Sequence, residues 1–206
     1  MQEITEAKFE NVLEGERVPS AILVLNFNPS SKAMIETKPL LLENQHVIAR
    51  AREAIIQNFG AIEVIPEQKR IVGIFNRLTL TKNPELDAAK AAIAIQEELK
   101  NSNFDFGIGI EIGELVIRKK ENRLNYFPLQ GVLTQAKKMA NNSKNSVLIS
   151  SKAYFKISHD VVASQHSLSD NLMYSIKSIK DRSQYKQYVD TVLKRIAKDE
   201  AAAKKR

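Results

Sequence analysis

No cysteine and no tryptophan occur among the 206 residues. The missing cysteines exclude disulfides, cysteine-ligated zinc and thiol catalysis, and they agree with a reducing compartment. Long apolar runs are missing as well. No stretch reaches the roughly 18 apolar residues of a membrane span, and no basic start leads into an apolar segment. The expectation is therefore a cytoplasmic protein with no transmembrane segment. HExxH, GxxxxGK[ST] and GxSxG are all absent, which leaves metalloprotease, P-loop and serine-hydrolase readings without support. His46, His159 and His166 are not at ligand spacing with one another or with acids and read as surface histidines. Between Glu16 and Glu36 there is no acid, so the apolar run AILVL ends at Asn26-Phe27-Asn28-Pro29 with no local carboxylate for a divalent ion.

What the chain has is enough apolar content, 43%, to bury the core of one sizeable domain. The net charge of +7 is uneven, because residues 194–206 carry six basic and two acidic groups. We expect a lead segment at 1–16, one domain at 17–190 and a basic helical tail at 191–206. Apolar spacing predicts a helix over 43–59 that stops at Gly60, and a second over 84–100 capped by Asn83 with Pro84 at its first position. AIEVI (61–65) and RIVGIF (70–75) read as a hairpin, and FDFGIGIEIGELVIRK (104–119) as a long strand. LNYF, a helix through LTQAKKMA, and SVLIS follow. HDVVASQHSLSD reads as a polar connection, and LMYSIKSI and QYKQYVD as late strands. This order gives an α+β fold, a ferredoxin-like split βαβ sheet with helices packed on one face. Gly107, Gly109 and Gly113 have GxGxxxG spacing within strand alternation. They point to close approach by another backbone and not to a phosphate loop.

GERVPSAILVLNF, FGIGIEIGELV, NRLNYFPLQGVLTQAKKMA and SVLISSKAYFKI resemble, in order and spacing, the catalytic domain of class III adenylate and guanylate cyclases over about residues 13–190. In that family two aspartates hold the metal ions that activate the 3′-hydroxyl of a nucleoside triphosphate. The resemblance puts Asn26 at the first of these positions and Lys69 at the second; a two-residue slip would put Glu67 there instead. Its base-reading residue falls on Asn125, and its base-reading lysine near Ile65 and Pro66. The asparagine and arginine that stabilise the transition state fall on Thr134 and Lys138. An uncharged amide is a weak metal ligand and an ammonium repels the ion, while lysine lacks the planar fork of arginine.

The resemblance therefore implies a catalytically silent domain with no metal and no cofactor, serving as a regulatory or protein-interaction module. Family domains pair head to tail, so the implied partner is a protein: a second copy, an active cyclase, or a signalling or assembly protein. A metal-free nucleotide or other anion held by Lys69 with Lys137 or Lys138 stays open. So does a divergent active cyclase. A basic nucleic-acid or assembly protein sharing the same sheet also stays open, although 6% aromatic content weighs against nucleic acid, with Tyr126 and Phe127 as the exceptions to check.

Overall fold

The structure is a computed structural model and describes residues 13–29, 40–65, 69–100, 102, 104–120, 123–128, 131–168 and 171–181. The chain runs β1 (Arg17–Pro29), α1 (Leu40–Gln57), β2 (Ala61–Ile65), β3 (Arg70–Asn76), a 3-10 turn (Arg77–Thr79), α2 (Pro84–Leu99), β4 (Phe104–Lys120), β5 (Arg123–Pro128), α3 (Val132–Asn142), β6 (Val147–Ser150), α4 (Ser151–Ile157), β7 (Val161–Leu168) and β8 (Asn171–Ile179). The sheet order is β2-β3-β1-β4-β6-β8-β7, and β5 pairs with β4 alone. Among the described strands only β4 and β6 pair in parallel.

Strand alternation sorts the apolar residues onto two faces. On β1, Ala21, Leu23, Leu25 and Phe27 join Phe106, Ile108, Ile110 and Ile112 of β4 in the main core, under α1, α2 and α4. Ile22 and Val24 point the other way and pack with Leu115, Val132, Ala136 and Ala140 beneath α3. Each fully buried isoleucine or leucine is worth about 1.5–3 kcal/mol, so both layers contribute to holding the sheet. The helices therefore do not lie on one face: three cover one side and α3 the other.

The three glycines explain where α3 sits. A Cβ on Gly107 would lie 2.0 Å from the Ala140 carbonyl oxygen, one on Gly109 2.2 Å from the Ala136 carbonyl oxygen, and one on Gly113 2.2 Å from Cγ2 of Val132. Only a strand stripped of side chains admits a helix backbone this close. The close-approach reading of GxGxxxG holds.

The hairpin, the helix capped by Asn83 and the long strand lie where expected, and the local picture differs or fills in at the first helix, after SVLIS and in the polar connection. The first helix is Leu40–Gln57, and the left-handed residue after it is Phe59, with φ 62, not Gly60. Gly60 is needed for space, since its Cβ would meet Ile55 and Phe75 at 2.6–2.8 Å. SKAYFKI forms α4, with Ser150 accepting from the Ala153 amide as N-cap. The polar connection HDVVASQHSLSD contains β7, paired antiparallel with β8. It escaped the sequence pattern because Val162, Ser164, Gln165, His166 and Ser167 are all exposed, which leaves no alternation to read. QYKQYVD, the tail at 191–206 and most of the lead segment lie outside the described residues. No helix among the described residues is long and apolar enough to cross a membrane.

Candidate functional site

The end of β1 is built by pairing. Asn26 stands opposite Arg70 on β3 and Gly107 on β4, and its even position turns it toward the α3 face with Ile22 and Val24. Its amide oxygen accepts from Arg70 Nε at 2.8 Å, and its amide nitrogen donates to Asn141 Oδ1 on the last turn of α3. Lys69 adjoins it, because the Phe27 amide donates to the Lys69 carbonyl at 3.2 Å. Lys69 holds a left-handed backbone at φ 47, a conformation that costs a side-chain-bearing residue about 1–2 kcal/mol.

A cleft of about 400 Å³ opens beside Asn26, lined in part by Asn28, Asp105, Asn141, Lys144 and Asn145. Asn145 braces it, its backbone amide donating to the Phe106 carbonyl at 2.8 Å and its side-chain oxygen accepting from the Phe106 amide at 2.9 Å. Asp105 pairs opposite Asn28. It brings to the strand end a carboxylate that chain order does not show. Among the described residues no three His, Cys, Asp or Glu come together as a metal site. With Asn26 held by a guanidinium and an amide, and Lys69 alongside, the residues present do not fit a pair of divalent ions.

The other expected positions stand away from this end. Thr134 and Lys138 are exposed on α3 and share, at i and i+4, the outward stripe that leads to Asn141. Asn125 pairs opposite Arg118. Eleven residues of β4 separate that register from Gly107, a span of about 35 Å. Asn125 also shares its ribbon face with Phe127 and Arg118, opposite the face that α3 covers. One chain thus unites Asn26 and Lys69, places Thr134 and Lys138 along α3, and does not bring Asn125 to them. Arg70 and Asn141 are the site residues that the sequence did not reveal: Arg70 read as a strand start and Asn141 as a helix end. His46, His159 and His166 are exposed.

No protein-family model and no curated protein matches the sequence. Solved structures do match the fold. The dimeric guanylyl cyclase domain of the RhoGC fusion protein from the aquatic fungus Blastocladiella emersonii superposes with a TM-score of 0.70 at 13% identity, covering 82% of this chain and all of that domain. The adenylyl cyclase CyaB from P. aeruginosa gives 0.67 at 13% identity, over 82% and 98% of the two chains. This is the fold of class III cyclase catalytic domains. The guanylate cyclase domain of RhGC from Catenaria anguillulae, solved in complex with GTP, gives 0.66 at 12% identity over 80% and 100%. At such identities the likeness is one of fold, and the chemistry of this cyclase-like chain has to be argued from its own residues.

Proposed function

We propose that this cyclase-fold chain is a catalytically silent module that works by pairing with another protein chain. The observation that carries this reading is the pair of bonds on Asn26. At the position where the family resemblance expects a metal-binding acid, the side chain is an amide, and Arg70 and Asn141 already use both its oxygen and its nitrogen. A metal ion there would have to displace a guanidinium, with a single carboxylate, Asp105, lining the same cleft to offset its desolvation. Metal-assisted activation of a ribose hydroxyl lacks its ligands in this arrangement.

Pairing is supported by the distribution of the remaining positions. The Asn26 end and the Asn125 end of β4 are about 35 Å apart in one chain, and an antiparallel partner would bring one end of each chain against the other end of its mate. The partner is a second copy, a catalytically competent cyclase chain or another signalling or assembly protein.

The test is to incubate the purified protein with ATP and with GTP, each with manganese or magnesium, and to measure cyclic nucleotide, with light scattering of the same sample. No cyclic product, together with a dimer or a stoichiometric partner recovered from the protein's own cells, supports the reading. Steady production of cyclic nucleotide would sink it and establish a divergent enzyme.

A further inference from the structure

The cleft beside Asn26 has two walls of opposite chemistry. On the strand wall, Asn28 at the end of β1 and Asp105 at the start of β4 stand directly across the ladder from one another, so their side chains share the face that α3 covers. On the facing wall, Asn141 from the last turn of α3 and Lys144 and Asn145 from the loop after it line the same space. The two walls are tied together at their base. The Asn145 amide donates to the Phe106 carbonyl at 2.8 Å, and the Phe106 amide donates to Asn145 Oδ1 at 2.9 Å. Asp105 and Lys144 each precede one member of that bonded pair.

Two opposite charges are thus brought to one cleft without pairing with each other. Among the described residues, neither the Asp105 carboxylate nor the Lys144 ammonium has a hydrogen-bond or ion-pair partner. The amides beside them are half used. Asn141 Oδ1 accepts from Asn26 and Asn145 Oδ1 from Phe106, which leaves the N–H groups of both side chains to the cleft. The helix-end wall is therefore a set of donors, one ammonium and two amide groups. The strand wall supplies the acceptors, the Asp105 carboxylate and the Asn28 amide oxygen. The volume of about 400 Å³ lies at the small end of the range for ligand sites, about 300–1,000 Å³.

We infer that this cleft binds a free α-amino acid, with its ammonium on Asp105 and Asn28 and its carboxylate on Lys144, Asn141 and Asn145. A lone anion would gain the donor wall and face the Asp105 carboxylate, and a lone cation would gain Asp105 and face the Lys144 ammonium. A ligand that carries both charges on one carbon satisfies both walls at once, through charge-assisted hydrogen bonds. The lining of amides and charges suits a polar side chain. The inference concerns a single chain and stands without the pairing proposed above. Where a mate does lie against this end of the chain, it closes the mouth of the cleft over the ligand, and occupancy and pairing then strengthen each other reciprocally.

The test is isothermal titration calorimetry of the full chain with L-glutamine, L-asparagine and L-serine, with light scattering of the same samples. Saturable binding of at least one is expected. The N-acetyl and the α-amide forms of that amino acid should each bind about tenfold more weakly or worse, since each loses one charged end. Asp105→Asn and Lys144→Met should each weaken the parent amino acid to a similar degree. Both side chains are exposed, and the blocked ligands read the same contacts without altering the protein. Three results would overturn the inference: no saturable binding of any of the three, blocked forms that bind as well as the parent, or binding indifferent to both variants. Light scattering keeps the two readings apart. Binding by single chains would support the inference even if pairing failed, and a dimer that binds none of the three would overturn it with pairing left standing.

Discussion

Replacing Gly109 by alanine should lift α3 from the sheet. The added methyl would lie 2.2 Å from the Ala136 carbonyl oxygen, 2.7 Å from the Ala140 backbone nitrogen and 2.8 Å from Met139 Cβ. Two of these three obstacles are main chain and cannot rotate away, so the helix must retreat by about 1 Å to reach ordinary contact, a gap that forfeits a quarter to a half of the dispersion across it. Its seat consists of Val132, Ala136, Met139 and Ala140, all 6% exposed or less. Together their burial is worth roughly 5–6 kcal/mol. The expected loss is about 1.5–3 kcal/mol, reduced by about 0.5 kcal/mol because alanine restricts the unfolded chain. Urea unfolding followed by far-ultraviolet circular dichroism should show a lower midpoint with an unchanged slope. Gly131 provides the contrast: it has φ 71 and nothing within 4 Å of a Cβ, so Gly131→Ala should cost about 1 kcal/mol through backbone strain alone, and Gly131→Asn should recover much of that. At Gly109 asparagine should be worse than alanine. A Gly109→Ala variant within about 0.5 kcal/mol of the parent, or relieved by asparagine, would refute the close seating of α3.

Asn26→Asp should fold and keep its bond to Arg70, now charge-assisted. It should gain no manganese binding by isothermal titration calorimetry, because the Arg70 guanidinium stays bonded to it; a manganese isotherm would show that the strand end is still a metal site. Ser150→Ala should destabilise by about 1 kcal/mol or more, since the hydroxyl both caps α4 and donates to Glu111 Oε1 at 2.7 Å; an unchanged melting temperature would count against both roles. Burial raises the Tyr126 phenol above its ordinary value of 10.0. The neutral form is thus favoured in the folded state, so its contribution to stability is complete below pH 10 and is lost as pH rises through the higher folded value. Ultraviolet titration should show a late phenol ionisation that Tyr126→Phe removes; a late step that survives the substitution would contradict it.

Much of this fold was legible where one physical signal dominated. The long β4 declared itself by alternation, α2 by Asn83 and Pro84, and the GxGxxxG glycines by their place inside a strand. β7 was hidden because an edge strand exposed on both faces has no pattern to show. The placement of α3 on its own face was also hidden, since an apolar stripe tells that a helix is buried but not on which side of a sheet. At the candidate site, Asn26 at the end of β1 could be picked out from the resemblance, but its partners could not. Arg70 lies 44 residues away and Asn141 lies 115 away, and only strand register and the seating of α3 bring them together. Asp105 reaches the strand end in the same way, by facing Asn28 across a ladder.

Phe59, Lys69 and Leu80 hold left-handed backbone with φ of 62, 47 and 72, at about 1–2 kcal/mol each. Asparagine at these three positions would release part of that cost, and glycine the whole of it less about 0.4–1 kcal/mol each for loosening the unfolded chain, a total that still counts against the roughly 5–15 kcal/mol of an ordinary domain. The chain therefore has room to be made considerably more robust without touching its core. Of the three, Lys69 is the one whose replacement would separate strain kept for a purpose from strain that merely persists: Phe59→Gly and Leu80→Gly should leave pairing with a partner chain intact, whereas a loss of pairing on Lys69→Gly would mean that the side chain at that hairpin end is held there for use.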